Sequence, residues 1–263
     1  MARIFLFLWL LSWHVNSANL SVSYHNFPPF SFQHGGQAQG IMVELVSEVC
    51  KQAKLSCEFQ YFPNRRAKNY MAAGIVHGNI PLGWNATRAE TLWFSVPLLQ
   101  TEYGFYSKTS NNKTFRNIAD LTGLKVGVFG PSNTQVALEK LQTSMHVHGL
   151  YPIEIEVMPN ANEQGLEKLI RDRYDLYFVN RHVGQYLITT FNIEGVEYIG
   201  TSSQVDYHVG FAKAHVDPQL VRRFNQAILN MYANQGFDAI YQKWQLAPGK
   251  HTPDHLLQRD ILH

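Results

Sequence analysis

An excess of charge of one sign is missing from this chain of 263 residues, which has 22 Lys and Arg against 20 Asp and Glu. The formal net charge is only +2. Proteins that bind nucleic acids typically carry a strong basic excess on one face. The composition therefore gives no indication of a nucleic-acid partner.

Long apolar runs are also lacking, except at the N-terminus. Residues 1–18 contain one basic residue, Arg3, followed by an apolar run at 4–11 and then by small polar residues. This order predicts a secretory signal peptide, and its apolar run is too short to span a membrane. We expect cleavage after Ser17 or Ala18, and export of a soluble mature chain to the periplasm without membrane insertion.

Cysteine is scarce, because only Cys50 and Cys57 occur in the chain. A structural zinc site would need four ligands in closer pairs, so this pair favours a disulfide in an exported protein. The bond would join a helix end to the next strand. Its loop is short, so its contribution to stability is expected at the low end of the usual range.

Motifs for metal binding and catalysis are missing as well. The twelve histidines include no pair on one predicted helix with the spacing that a zinc site needs. The chain has no nucleophile elbow, and its faint echo of a phosphate loop around Gly127 and Gly130 lacks the lysine. We therefore expect no metal, no cofactor and no catalytic residues.

Strand and helix patterns alternate through the first part of the chain. LSVSY at 20–24, CEFQYF at 57–62 and GNIPLGW at 78–84 predict strands. Apolar spacing from Ile41 to Ala53 predicts one helix, and NRRAKNYMAAG at 64–74 predicts another. This order is typical of an α/β fold with a largely parallel sheet, in which ligands lie beyond the carboxyl ends of the strands.

The second part has a similar pattern. TEYGFYSK at 101–108, LKVGVFG at 124–130, IEIEVM at 153–158 and YDLYFV at 174–179 predict strands. GVEYIG at 195–200 closes this part, and VDYHVGFAK at 205–213 predicts a strand that returns from it. A long amphipathic helix follows from 217, with apolar residues recurring at three and four from Leu220 to Tyr232.

Arg88 is the main candidate for ligand binding. It follows a predicted strand and the polar stretch around Trp84 and Asn85, which are candidate ligand contacts as well, and an apolar run at 92–99 lies behind it. This pattern predicts a loop beside a core. A guanidinium there matches a carboxylate with two hydrogen bonds. A solvated arginine is the alternative for Arg88, and Trp84 would either stack on a flat ligand or fill the core.

Other candidates have equally open alternatives. Phe27 lies beside two prolines, where it would either contact a ligand or close the core. Arg65 and Arg66 begin a helix, where cations oppose the helix dipole, so we expect one of them to face the cleft. Tyr103 and Tyr207 lie on predicted strands and are expected to pack in the core.

Several motifs in the same order resemble one family. HNFPPFSF at 25–32, GIMVEL at 40–45, TRAETLWFSVPL at 87–98, IADLTGLKVGVFGPS at 118–132, VGFAK at 209–213 and QGFDAIYQKW at 235–244 are among them. Together with the cysteine pair they resemble the bacterial extracellular solute-binding proteins of family 3, which include the polar amino-acid binding proteins of ABC importers. The resemblance covers nearly all of the mature chain.

The resemblance implies a two-lobed type II periplasmic-binding-protein fold, a Venus flytrap with a mixed, mostly parallel sheet in each lobe. Lobe one would comprise residues 19–107 and 206–263, the latter including a C-terminal tail, and lobe two residues 108–205. Two hinge strands, at 101–108 and 205–211, would carry the chain between the lobes.

The resemblance also assigns roles to individual residues. In the family, an arginine six residues before the F-S-x-P motif holds the ligand's α-carboxylate, and Arg88 has this position. Phe27 would pack on the ligand. The start of a lobe-two helix, at Ser132, Asn133 and Thr134, would donate to the same carboxylate, and a helix N-terminus favours an anion in any case.

One position departs from the family pattern. Amino-acid binders usually have an aspartate at the end of a lobe-two strand, which holds the α-ammonium, whereas this chain has Asn180 followed by Arg181. A buried ammonium facing a neutral amide and a cation is less stable by several kcal/mol. Both residues are candidate ligand contacts, and the departure argues against an ordinary α-amino acid.

Three functions are compatible with these features. The first is a monomeric periplasmic protein that captures a small carboxylate-bearing solute, an amino acid or related organic acid, for an ABC importer permease. The second is a ligand sensor that contacts a receptor. The third is a periplasmic dehydratase acting on cyclic acids such as arogenate or prephenate, which ranks lowest because it needs a poised acid and Asn180 stands at the expected position.

Overall fold

The computed structural model describes residues 19–159, 163–246 and 248. The predicted signal peptide at 1–18 and the tail from 249 lie outside the described residues. The strands are β1 (Asn19–Tyr24), β2 (Phe32–His34), β3 (Gln37–Gln39), β4 (Ser56–Tyr61), β5 (Gly78–Gly83), β6 (Leu92–Phe94), β7 (Leu99–Lys108), β8 (Lys125–Phe129), β9 (Glu154–Met158), β10 (Leu176–Asn180) and β11 (Val196–Ala212). The helices are α1 (Ile41–Gln52), α2 (Asn64–Ala72), α3 (Ala86–Thr91), α4 (Asn133–Val147), α5 (Glu163–Ile170), α6 (Arg181–Phe191), α7 (Pro218–Ala233) and α8 (Asp238–Trp244).

Nine strands form one mixed sheet in the order β4-β1-β5-β11-β7-β10-β8-β9, and β6 also pairs with β11. At one end β1 runs parallel to β4 and β5, and at the other end β8 runs parallel to β9 and β10. In the middle β11 is antiparallel to both β5 and β7. The predicted α/β fold is therefore confirmed, with two parallel groups joined by antiparallel strands.

The long strand β11 corrects one prediction. The strand predicted at 205–213 begins earlier, at Val196, and runs for 17 residues to Ala212. It pairs with β7 from Val196 opposite Lys108 to Tyr207 opposite Leu99. The register shifts between Tyr198 and Gly200 and again between 201 and 203, and such bulges let a strand bend without ending. The segment near Gly200 is thus continuous with the strand predicted after it.

The helices bury the apolar faces that their spacing predicts. In α1, Ile41, Leu45 and Val49 are fully buried, and in α7 the same is true of Phe224 and Ile228. These residues belong to a core that surrounds the β1 end of the sheet. A second cluster, which includes side chains from β7, β8, α4 and β10, lies around the β8 end.

The predicted disulfide is present. Cys50 and Cys57 are bonded, with their Cα atoms 6.1 Å apart, and they join the end of α1 to β4. None of the helices among the described residues combines the length and the apolar character that a membrane crossing requires.

The predicted lobe boundaries fall in the two antiparallel middle strands. The boundary between 107 and 108 lies at the end of β7, and that between 205 and 206 lies within β11. The segment from 108 to 205 supplies β8, β9 and β10, which are the strands on one side of β7 in the sheet.

Candidate functional site

A cleft of about 540 Å³ lies where several elements meet. It is bounded by the carboxyl ends of β1 and β5, the N-terminal parts of α2 and α4, the helices α3 and α6, and the middle strands β7 and β11. Its polar and charged side chains include His25, Asn26, Asn64, Lys68, Arg88, Tyr103, Ser132, Asn133, Thr134, Asn180 and Tyr207. None of the described residues that line it is Asp or Glu.

Arg88 lies in this cleft, as the sequence predicts, but on a short helix and not in a loop. The helix forms because the side-chain oxygen of Asn85 accepts a hydrogen bond from the backbone N–H of Arg88 at 2.8 Å, which is an N-cap. The Arg88 guanidinium donates to the carbonyl oxygen of Gly83 at 2.7 Å. The residue is half-buried, and no described acidic side chain forms an ion pair with it.

The cleft is cationic, and its charges are not balanced by carboxylates. Burial lowers the pKa of Arg88, while Tyr103 and Tyr207 oppose this effect. Burial and then the charge of Arg88 lower the pKa of Lys68. Burial, followed by the charges of Lys68 and Arg88, lowers the pKa of His25 to about 4. At neutral pH the cleft therefore contains two cations and a neutral imidazole.

Phe27 is half-buried and takes part in an aromatic cluster at the carboxyl end of β1. Its ring stacks on that of His25 with a centroid distance of 5.7 Å and an interplanar angle of 18°. It also meets Phe30 at 5.3 Å and the edge of Tyr207 at 6.1 Å. Phe27 therefore both packs against the core and lines the cleft, so the two alternatives for this residue are compatible.

The N-terminus of α4 opens onto the cleft. Ser132 is its N-cap, with a side-chain oxygen that accepts from the backbone N–H of Gln135 at 3.0 Å and a hydroxyl that donates to the carbonyl of Phe129 at 2.6 Å. Burial raises the pKa of Tyr103, and the neighbouring side chains of Tyr207 and Thr134 oppose this effect. First-turn N–H groups have no acceptor within a helix, so α4 presents donors and the positive end of its dipole to the cleft.

Asn180 lines the cleft and is almost fully buried, with 1% of its surface exposed. Its side-chain oxygen accepts from the backbone N–H groups of His182 at 3.0 Å and Val183 at 3.4 Å, so it caps α6. Its Nδ2 donates to Thr101 Oγ1 at 3.1 Å and to the hydroxyl of Tyr207 at 3.3 Å. The amide thus links α6 to both middle strands.

Comparison with known proteins agrees with the fold. The sequence model of the family of bacterial extracellular solute-binding proteins, family 3, matches residues 20–247. The chain belongs to this family. No curated protein sequence matches the chain.

Solved structures with the same fold include proteins of several kinds. A histidine kinase sensor domain with similarity to periplasmic binding proteins is 18% identical, with 89% of this chain and 99% of that chain covered and a TM-score of 0.75. An ancestral arginine-binding protein bound to arginine is 22% identical, with 86% and 98% covered and a TM-score of 0.71. The ancestral amino acid-binding protein AncCDT-1, a precursor of cyclohexadienyl dehydratase, is 19% identical, with 86% and 95% covered and a TM-score of 0.70. At these identities the likeness shows the type II fold alone.

Four predicted site residues of this solute-binding protein are not among those that line the cleft. Trp84 is 41% exposed, and the side chain of Asn85 caps α3. Arg65 is exposed on α2. Arg181 pairs with Glu102 at 2.8 Å, which accounts for its charge outside the cleft. Of these four, Asn85 contacts the backbone of Arg88, and none lines the cleft.

The lining includes cationic and aromatic residues that were not predicted from the sequence to contact a ligand. Lys68 lies four residues after Asn64 and three after Arg65, so helical spacing places both of these residues beside Lys68 on α2. The sequence carries no signal that selects Lys68 over Arg65. Tyr103 and Tyr207 are buried, as expected for packing residues, yet both also line the cleft.

A second cavity of about 430 Å³ lies beside the cleft. Its lining is largely apolar and includes Met71 and Leu92, and it shares Lys68, Leu82 and Arg88 with the cleft. In the part of the chain that the structure describes, no three His, Cys, Asp or Glu side chains are grouped so that they would hold a metal ion.

Proposed function

We propose that this protein is a periplasmic solute-binding protein that captures a small carboxylate-bearing solute between its lobes and delivers it to an ABC importer. Family membership supports a role in solute binding. The carboxylate is inferred from the cleft, and the importer and the periplasmic location are inferred from the family and the predicted signal peptide.

One observation carries the proposal, namely that Arg88 lines the cleft without an acidic partner among the described residues. A half-buried guanidinium has lost part of its hydration, and a structural arginine in such a place is normally paired. A bound carboxylate would supply the missing partner with two charge-assisted hydrogen bonds. The N-terminus of α4, on the other side of the cleft, would add backbone donors to the same anion.

The proposed lobes explain how binding would be transmitted. With lobe one at 19–107 and 206–263 and lobe two at 108–205, Arg88 and the α4 N-terminus belong to different lobes. Only a closed arrangement would satisfy both with one ligand. Binding would therefore shift an equilibrium between open and closed forms, which is the signal that a permease or receptor recognises.

The test is the variant Arg88→Ala. A thermal-shift panel of amino acids, keto acids and dicarboxylates first identifies a ligand, and calorimetry then measures its affinity. We expect Arg88→Ala to lower the affinity at least about 100-fold, since two charge-assisted hydrogen bonds are lost. Arg65→Ala is the matched control, because it removes an arginine of the same lobe that lies outside the cleft. Unchanged affinity in Arg88→Ala, with an intact fold, would contradict the site.

A sensor role is the second candidate, and the similarity of the fold to a histidine kinase sensor domain favours keeping it. Uptake of the labelled ligand by cells that lack the protein separates the two. Lost uptake supports import, whereas normal uptake with a lost transcriptional response supports sensing. A dehydratase-like enzyme ranks third, because that chemistry needs a poised acid and none of the described lining residues is Asp or Glu.

A further inference from the structure

The cationic side of the cleft extends beyond Arg88. Lys68 also lines the cleft, and no described residue gives it a hydrogen bond or an ion pair. The charged side chain that acts on it most strongly is Arg88, which repels it. Acidic residues that could neutralise Lys68 are missing from the described lining, so the cleft has more positive charge than one carboxylate would balance.

His25 lies beside these two cations. Its Nδ1 is buried and has no hydrogen-bond partner among the described residues. The imidazole is held in place by stacking on Phe27 at a centroid distance of 5.7 Å. An unpartnered buried ring nitrogen is unfavourable, and a ligand oxygen would remove the deficit. Lys68 and His25 thus form a second polar position, distinct from Arg88.

The remaining polar groups do not suit a ligand ammonium. An ammonium needs acceptors, preferably a carboxylate, and the buried amide oxygen of Asn180 is the acceptor at the expected position. That oxygen already accepts from two backbone N–H groups at the start of α6 and from the hydroxyl of Thr101 at 3.3 Å. The cleft therefore offers donors and positive charge, and its best-placed acceptor is already engaged.

We propose that the ligand carries two anionic groups and no ammonium, with one anionic group bound at Arg88 and the other at Lys68 and His25. This inference rests on the proposed function, and it narrows the ligand class from carboxylate-bearing solutes to dianions such as dicarboxylates.

The experiment compares dicarboxylates with partners that differ in one charge. Calorimetry measures the affinity of the protein for malonate, succinate, glutarate and adipate, for the monoamide of each, and for L-aspartate and L-glutamate. The series covers the unknown distance between the two anionic groups. We expect one dicarboxylate to bind about tenfold or more tightly than its monoamide, and more tightly than L-aspartate and L-glutamate.

The variant Lys68→Gln tests the second position. We expect it to lower the affinity for the preferred dicarboxylate about fivefold and to leave that of the monoamide unchanged. The effect is modest because Lys68 is exposed to solvent. Arg65→Gln is the matched control, since it removes the same charge from the same helix outside the cleft, and it should leave both affinities unchanged.

The outcomes separate this inference from the proposed function. If a dicarboxylate and its monoamide bind equally, or if the amino acid binds more tightly, the dianion inference is overturned while Arg88-dependent binding still supports carboxylate capture. Loss of dicarboxylate affinity in Arg65→Gln equal to that in Lys68→Gln would also overturn it. If no carboxylate in the panel binds, both proposals fail.

Discussion

Replacing His25 with phenylalanine should remove part of the protein's sensitivity to acid. The pKa of His25 is about 4 in the folded protein against 6.5 for an ordinary histidine, chiefly because of burial and then because of Lys68 and Arg88. Between these two values the unfolded chain binds a proton that the folded protein does not bind. The free energy of unfolding therefore decreases, through His25, as the pH falls from 6.5 towards 4.

The magnitude follows from the width of that window. A difference of one pKa unit corresponds to about 1.4 kcal/mol, and pH 5 lies about 1.5 units below 6.5, so titration of His25 lowers the free energy of unfolding by about 2 kcal/mol at pH 5. His182, whose pKa is also lowered to about 4 by burial and then by Arg181, adds a similar loss. His25→Phe should abolish the first loss and retain the second.

The substitution should change few contacts besides the titration of the imidazole. No side-chain hydrogen bond is lost, since the buried Nδ1 has no described partner, and the new ring can stack on Phe27 as the old one does. Urea unfolding followed by tryptophan fluorescence, at pH 7.5 and pH 5.0 and constant ionic strength, measures both proteins. We expect a difference of about 2 kcal/mol between their losses of stability. Equal losses would refute the assignment of a buried, neutral His25.

Three further substitutions test other parts of the structure. Asn180→Asp keeps the helix cap but offers a carboxylate, so we expect about a tenfold gain in affinity for L-glutamine, which calorimetry measures. Replacing Cys50 and Cys57 with alanine should lower the free energy of unfolding by about 2 kcal/mol, measured with urea. Gly104→Ala should destabilise by about 2 kcal/mol or more in the same assay, because its Cβ would clash with the hydroxyl of Tyr198 and with the backbone carbonyl oxygen of Gly200.

Much of the fold could be predicted because it depends on local patterns. The apolar spacing of Ile41, Leu45 and Val49 predicts the buried face of α1, and these residues are fully buried. The start of β11 was predicted too late, at Val205 and not at Val196, for the opposite reason. The polar residues between 201 and 204 carry no strand signal of their own, and their conformation is set by pairing with β7. Such pairing is a property of the tertiary structure and leaves little trace in the segment itself.

The candidate site was predictable only where one residue could be placed by a motif. Arg88 and Ser132 lie at element ends that the sequence marks, and both line the cleft. Arg65 and Lys68 are three residues apart on one helix, so choosing between them requires the orientation of α2 against the sheet. His25 follows β1 directly, but nothing in the sequence shows that its Nδ1 is buried without a partner.

The charge of the cleft is hard to explain as a stabilising feature of the empty protein. Burial lowers the pKa of Arg88 and of Lys68, which means that the surroundings disfavour their charged forms. The two cations also repel each other, and together they hold His25 neutral. A carboxylate at Asn180 would have relieved this strain, yet that position has an amide that caps α6. A bound anion would remove the repulsion between these cations. The stability that the empty protein loses through this repulsion would therefore contribute to its affinity for the ligand.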